Sequence, residues 1–139
     1  MQIGTIIRWA NFPIPQYGGR RKPRWFLCLG ITRQLNQPKR FYFHSTTKTI
    51  RPSINHFPFK KVKYNFFAKD CYLYFNEPPY LFSRQELGIP EIMAVGKIDK
   101  ADLGIIYEGI RKEQRYSRME LLDIYNCFNL NGIIGINKP

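Results

Sequence analysis

Acidic residues are scarce in this chain. Ten Asp and Glu stand against 22 Lys and Arg in 139 residues, leaving a net charge of +12. So large an excess excludes a self-neutralising surface and implies an anionic partner: nucleic acid, an acidic protein or a membrane surface. No Lys/Arg-rich amphipathic helix is visible, which sets the membrane surface aside. Charge alone does not separate the other two. Cysteine is also sparse. Cys28, Cys71 and Cys127 are odd in number, far apart and free of any C-x-x-C spacing. That excludes a disulfide framework and points to reduced thiols in a cytoplasmic protein. With only His44 and His56 beside them, no metal-ligand spacing exists, and neither metal nor cofactor is expected. No apolar run approaches the ~20 residues a bilayer requires. Met1-Gln2 leads straight into a strand-like run, so no signal peptide is expected. Phosphate-binding P-loop, dinucleotide and nucleophile-elbow motifs are missing, as are internal repeats and low-complexity segments.

What is present starts with one loop, Gln16-Tyr17-Gly18-Gly19-Arg20-Arg21-Lys22-Pro23-Arg24. A glycine pair lets backbone N–H groups approach a phosphate closely. Arginine supplies forked donors matching phosphate oxygens. The loop reads either as an anion-binding loop hung between two strands or as a solvated basic hairpin loop.

The rest of the chain supplies the strands. Gly4 to Ala10 and Arg24 to Ile31 flank the loop. The second is apolar without alternation, as a strand buried on both faces should be. Arg40 to Thr46, Phe59 to Tyr64, Cys71 to Phe75 and Met93 to Ile98 read as four more strands. Phe59 to Tyr64 is expected to be a short cationic edge strand, and Pro78-Pro79 is expected to block further pairing. Ser83-x-x-Glu86 looks like a capping box on one helical turn, stopped by Gly88 and Pro90. Asp99 is an N-cap for a helix to about Lys112, with Leu103, Ile106, Tyr107 and Ile110 at helical spacing. Ser117-x-x-Glu120 opens a clearer helix over 117–131, with Gly132 as its stop. Strands first and helices last predict one α+β domain over 1–139. It should be mainly β, a small antiparallel sheet curled into a partly open barrel with helices at one side.

The order of these pieces resembles the MazF/PemK/Kid toxins of toxin–antitoxin systems. Gly4-Thr5-Ile6-Ile7-Arg8-Trp9 looks like that family's opening Gly-Asp-Ile-Val-Trp strand. Gly18-Gly19-Arg20-Arg21-Lys22-Pro23 is similar to its Gly-Gly-x-Arg-Pro loop. His44-Ser45-Thr46-Thr47 sits where the family places a functional Thr or Ser. Lys69-Asp70-Cys71-Tyr72-Leu73 resembles Lys-Asp-Ser-Val-Ile, and Gly96 to Leu103 resembles the Arg-Thr-Ile-Asp-Lys-x-x-Leu entry to the first long helix. The resemblance covers Gly4 to Ile110. It implies an SH3-like barrel of the MazF/PemK/CcdB type, usually dimeric, that cleaves single-stranded RNA without metal and is neutralised by an acidic antitoxin. Two departures stand out. Lys22 replaces the arginine before the proline, keeping the charge without the planar fork. Residues 78–95 look like an insertion.

RNA cleavage by 2′-hydroxyl attack needs a base, positive charge on the phosphate and an acid for the leaving oxygen. Arg21 and Lys22 are the candidates for the scissile phosphate, Thr46 or Thr47 for orienting it. His44 is the candidate acid or base, weighed against a structural role facing Phe41 and Phe43. Arg20, Arg24, Lys48, Arg51, Lys60, Lys61 and Lys63 are candidate phosphate contacts. Within Phe57 to Tyr64, aromatics interleave with the lysines as a single strand of nucleic acid would require, or else they face the core. Two further readings remain. One is a module of the same barrel that binds RNA or DNA without cutting. The other is a protein-directed toxin of the CcdB kind, which needs no phosphate loop; the Arg20 to Arg24 cluster speaks against it.

Overall fold

The computed structural model describes residues 1–13 and 21–139. Gly18, Gly19 and Arg20 of the basic loop lie outside the described residues. Strand β2, Arg24–Ile31, begins immediately after Pro23 and forms the middle of a five-stranded antiparallel sheet. Its neighbours are β1, Thr5–Trp9, and β3, Arg40–Ser45. Side chains alternate between faces along a strand. Ile6, Leu27, Leu29 and Tyr42 therefore join one core, while Ile7, Phe26, Cys28, Phe41 and Phe43 join a second on the opposite face. The uninterrupted apolar run of β2 follows from having both faces covered: Phe26, Leu27, Cys28 and Leu29 are all fully buried. Each such large side chain stabilises the fold by roughly 1.5–3 kcal/mol.

A second sheet pairs β4, His56–Phe59, with β5, Cys71–Tyr74. One bridge ties it to the end of β3. The Thr47 N–H donates to the Tyr72 carbonyl at 2.9 Å, and the Tyr72 N–H returns to Thr47 at 2.8 Å. The result is α+β with two antiparallel sheets; among the described residues no closed barrel is formed.

Two strand expectations are corrected. The strand predicted over Phe59 to Tyr64 is His56–Phe59 instead, so Lys60, Lys61 and Lys63 lie beyond it, in the turn that follows. Pro58 is accepted because β4 pairs on one side only, with β5. Pro78-Pro79 does not end pairing either. Tyr80–Ser83 forms β6 along β3, on the sheet edge. The prolines lack N–H donors, but the four residues after them do not. Segment 78–95 thus supplies β6 at one edge and, at the other, the start of β7, Ile92–Lys97.

Between them, Ser83 and Glu86 exchange two reciprocal bonds, each at 3.0 Å, but the 3-10 turn Glu86–Gly88 has Gln85 as its N-cap without a side-chain bond, so the expected capping box does not cap it. Helix α1, Lys100–Glu113, starts where the Asp99 side chain accepts the Asp102 N–H at 2.8 Å. Helix α2, Arg118–Leu130, opens on the Ser117/Glu120 capping box and is followed by Gly132 at φ +82°. It packs on the far end of β2, where a Cβ on Gly30 would stand 3.1 Å from the Cys127 sulfur.

Candidate nucleic-acid interface

The first residues of β2, the segment after β3 and the approach to β5 converge on a cavity of about 340 Å³. Backbone pairing explains the convergence. The Thr46 N–H bonds the Trp25 carbonyl at 3.0 Å, which fixes residue 46 beside the start of β2. The Thr47–Tyr72 bridge then draws Lys69 to Cys71 to the same place. Lys22, Arg24, Lys48 and Lys69 all line the cavity with Thr46 and Thr47, and among the described residues no carboxylate or imidazole does. The ion pairs formed among the described residues involve none of these four cations. An unneutralised cluster of this kind focuses positive potential at a concave surface, the condition for capturing an anion.

The two threonines differ in what their hydroxyls have left to offer. Thr46 is buried, and its hydroxyl donates to the Trp25 carbonyl at 3.4 Å. The Thr47 oxygen accepts the Thr49 N–H at 3.3 Å, a local turn bond that leaves its hydroxyl proton for a ligand. Arg24 is half committed elsewhere: it donates to the Tyr80 hydroxyl at 3.2 Å and lies over the Phe12 ring. Arg21 is exposed beside Lys22 and is not a wall residue. Arg51 lies outside the cavity, its guanidinium 6.0 Å from the Tyr74 ring.

His44 is not at this site. It is fully buried, its Nε2–H donates to the Tyr74 carbonyl at 2.8 Å, and its Nδ1 accepts the Tyr116 hydroxyl at 2.6 Å. A carbonyl cannot donate, so Nε2 carries a proton, and in the neutral ring Nδ1 is the acceptor. Burial pulls its pKa down to about 4. A general acid or base must reach the proton it moves; a sealed imidazole with both nitrogens engaged is a structural residue. Strand periodicity placed it among aromatics but did not say that its face is covered.

Of the lysines after β4, Lys60 and Lys63 are engaged by carboxylates. Lys63 lies 2.8 Å from carboxylate oxygens of both Asp99 and Asp102, and Lys60 lies 3.8 Å from Asp70. The Asp102 and Asp99 carboxylates raise the Lys63 pKa, and Lys63 in turn lowers that of Asp99. Lys61 gives its backbone N–H to Asp70 at 2.8 Å. Phe59 and Tyr64 are buried in the first core, so the interleaved aromatics do not face solvent.

Four residues that the sequence did not single out belong to the site or its rim. Lys69 and Cys71 line it. The Cys71 thiol is pushed up to about 12 by burial, which keeps it protonated and unreactive. Trp25 is a wall residue, and Arg8 lies over its ring. The available signal was a tryptophan one residue past a basic loop, opposite an arginine in the neighbouring strand.

Among the described residues no group of His, Cys, Asp and Glu is placed to hold a metal ion, and no helix is long and apolar enough to cross a membrane. Fold and cavity define a small α+β protein with a cationic pocket at the junction of its two sheets. No family model and no curated protein matches the chain.

Proposed function

We propose that the protein is an endoribonuclease of the MazF/PemK/Kid kind, built on a partly open SH3-like barrel and acting on single-stranded RNA without metal. In this reading it works in the cytoplasm as a homodimer and is neutralised by an acidic antitoxin. The observation that carries the reading is the meeting of Lys22 with Thr46 and Thr47, remote in sequence, in a cavity whose described lining includes four cations and no carboxylate. The RNA phosphate sits against Lys22, Lys48 and Lys69. Lys22 and the adjacent Arg21 stabilise the charge that builds as the 2′-hydroxyl attacks phosphorus. Thr47, with its hydroxyl proton available, orients a phosphate oxygen. Each preorganised donor of this kind accounts for ~10²-fold or more in rate.

One observation favours a second reading, a module that holds RNA without cutting it. The described lining of the cavity holds no imidazole or carboxylate to move the proton, and His44 is sealed away. Incubation with a long single-stranded RNA, with and without EDTA, separates the two. Fragments in both samples support the nuclease. Intact RNA, bound with affinity that falls steeply with salt, supports the module. Five phosphate contacts on a single strand give a slope of log K against log salt of roughly −3.5. Binding that ignores salt sinks both.

The expected dimer has a surface to use. Helix α2 leaves Met119 and Leu130 more than half exposed. Sedimentation that finds only monomer at micromolar concentration removes the homodimer from the proposal and leaves the cavity untouched.

A further inference from the structure

Trp25 stands at the edge of the cationic cavity with nothing in the phosphate reading to explain it. It lies in cross-strand register with Arg8 of β1, which is in turn opposite Met93 of β7. Cross-strand partners share a sheet face, so Met93, Arg8 and Trp25 form a row that ends at the cavity. Met93 is 62% exposed and Trp25 is half-buried. The Arg8 guanidinium and the Lys48 ammonium each lie 5.3 Å from the Trp25 ring centre.

A buried tryptophan N–H ordinarily finds a hydrogen-bond partner. That of Trp25 is buried and has none among the described residues. Packing and two cations therefore hold the ring, and no hydrogen bond from a described residue locks its orientation.

We propose that Trp25, with Arg8 beside it, is a base-stacking subsite for an unpaired nucleotide of single-stranded RNA whose phosphate occupies the Lys22–Lys48 cavity. The inference rests on the RNA reading above and names how that site selects its ligand. A nucleobase presents a flat π face that stacks on indole or guanidinium alike, whatever the base. Lys48 is the link between the two halves: its ammonium lies over the ring and its side chain lines the phosphate cavity as well. When RNA enters, Lys48 turns to the phosphate and the base takes its place on the ring. A duplex keeps its bases stacked on each other and offers no face to Trp25. Bases of a single strand are available, so the subsite selects single strands without reading sequence.

The test uses a 2′-O-methyl oligouridylate, which 2′-hydroxyl attack cannot cleave, and an abasic oligonucleotide of the same length and charge. Trp25→Ala should weaken binding of the uridylate roughly tenfold to a hundredfold and leave the abasic chain unaffected, whereas Trp25→Phe should keep most of the affinity. In the unaltered protein the uridylate should quench tryptophan emission and the abasic chain should not. In Trp25→Phe, where Trp9 is the remaining tryptophan, that quenching should vanish. Equal binding of the two oligonucleotides, or equal losses for both in Trp25→Ala, overturns the subsite and leaves the phosphate site standing. If neither oligonucleotide binds, the RNA reading itself fails and the subsite falls with it.

Discussion

Two basic stretches of this chain look alike in sequence and differ in structure. Lys60, Lys61 and Lys63 crowd into four residues, as dense a run of charge as Arg20 to Arg24. Yet Asp70 lies 3.8 Å from the Lys60 ammonium and accepts the Lys61 backbone N–H, and Asp99 and Asp102 answer Lys63. Lys22 and Arg24 of the second stretch, with Lys48 and Lys69, line a concavity that has no carboxylate among its described lining residues. Charge density marks both; only the position of the aspartates separates a stretch that ties a turn to helix α1 from one that faces an outside anion. A cation already held at 2.8 Å by two carboxylates must give up those contacts before it can hold a phosphate.

The largest effect is expected at Lys22. Lys22→Ala and Arg21→Ala should each lower single-turnover RNA cleavage ~10²-fold or more while lowering RNA affinity far less. Lys22→Arg, which restores a planar fork, should preserve or raise the rate. Arg24→Ala should matter less, since Arg24 is partly occupied by Tyr80 and Phe12. Cleavage at the original rate in both alanine variants reduces the cavity to a docking patch.

His44 comes next, and its effect is on stability rather than rate. The unfolded chain takes up a proton near pH 6.5, whereas the folded ring resists until about 4. Stability is therefore full above the unfolded value and falls as pH drops from about 6.5 toward 4. The loss is about 3 kcal/mol at ~1.4 kcal/mol per pH unit. His44→Gln should lower the melting temperature at pH 7 and flatten that slope. Thermal melts across this window check both, and an unchanged slope in the variant shows that another group carries the pH dependence.

The smallest effects sharpen the contrast directly. Lys48→Ala should weaken RNA binding and make the salt slope shallower by about 0.7. Lys63→Ala should leave RNA binding and the salt slope unchanged and lower the melting temperature slightly, because its partners cap the start of α1. If Lys63→Ala weakens RNA binding as much as Lys48→Ala does, the division between the two stretches is wrong.

Legibility in the sequence followed the range of the interaction. Helix α2 was readable because Ser117 and Glu120 are three residues apart and cap each other locally. The bounds of β2 were readable because Pro23 and the polar turn at Thr32 punctuate an apolar run. Strand β6 was missed because its only warrant is its pairing with β3, more than thirty positions earlier. The expected curl into a barrel was beyond local pattern for the same reason: closure depends on which edges meet, and here one bridge at Thr47 joins the sheets. At the site, Lys22, Thr46 and Thr47 were named from motif order, and the structure brings them together. His44 and Lys63 were misplaced because burial and ion pairing are properties of neighbours distant in the chain. Lys69 and Trp25 were overlooked for the same reason.

The cavity's walls are unequal in kind. One is the start of β2, hydrogen-bonded to strands on both sides. The others are the segments 46–49 and 67–69, held by a few turn bonds and one bridge. Local opening is easiest where few backbone bonds must break together. In amide hydrogen exchange, Phe26 to Leu29 should be slow whether or not a ligand is present, with little left to gain. Lys48 and Lys69 should exchange fast in the empty protein and slow when the cavity fills. Any tightening around a ligand is then one-sided: a fixed jaw made of sheet, and a moving one made of loop.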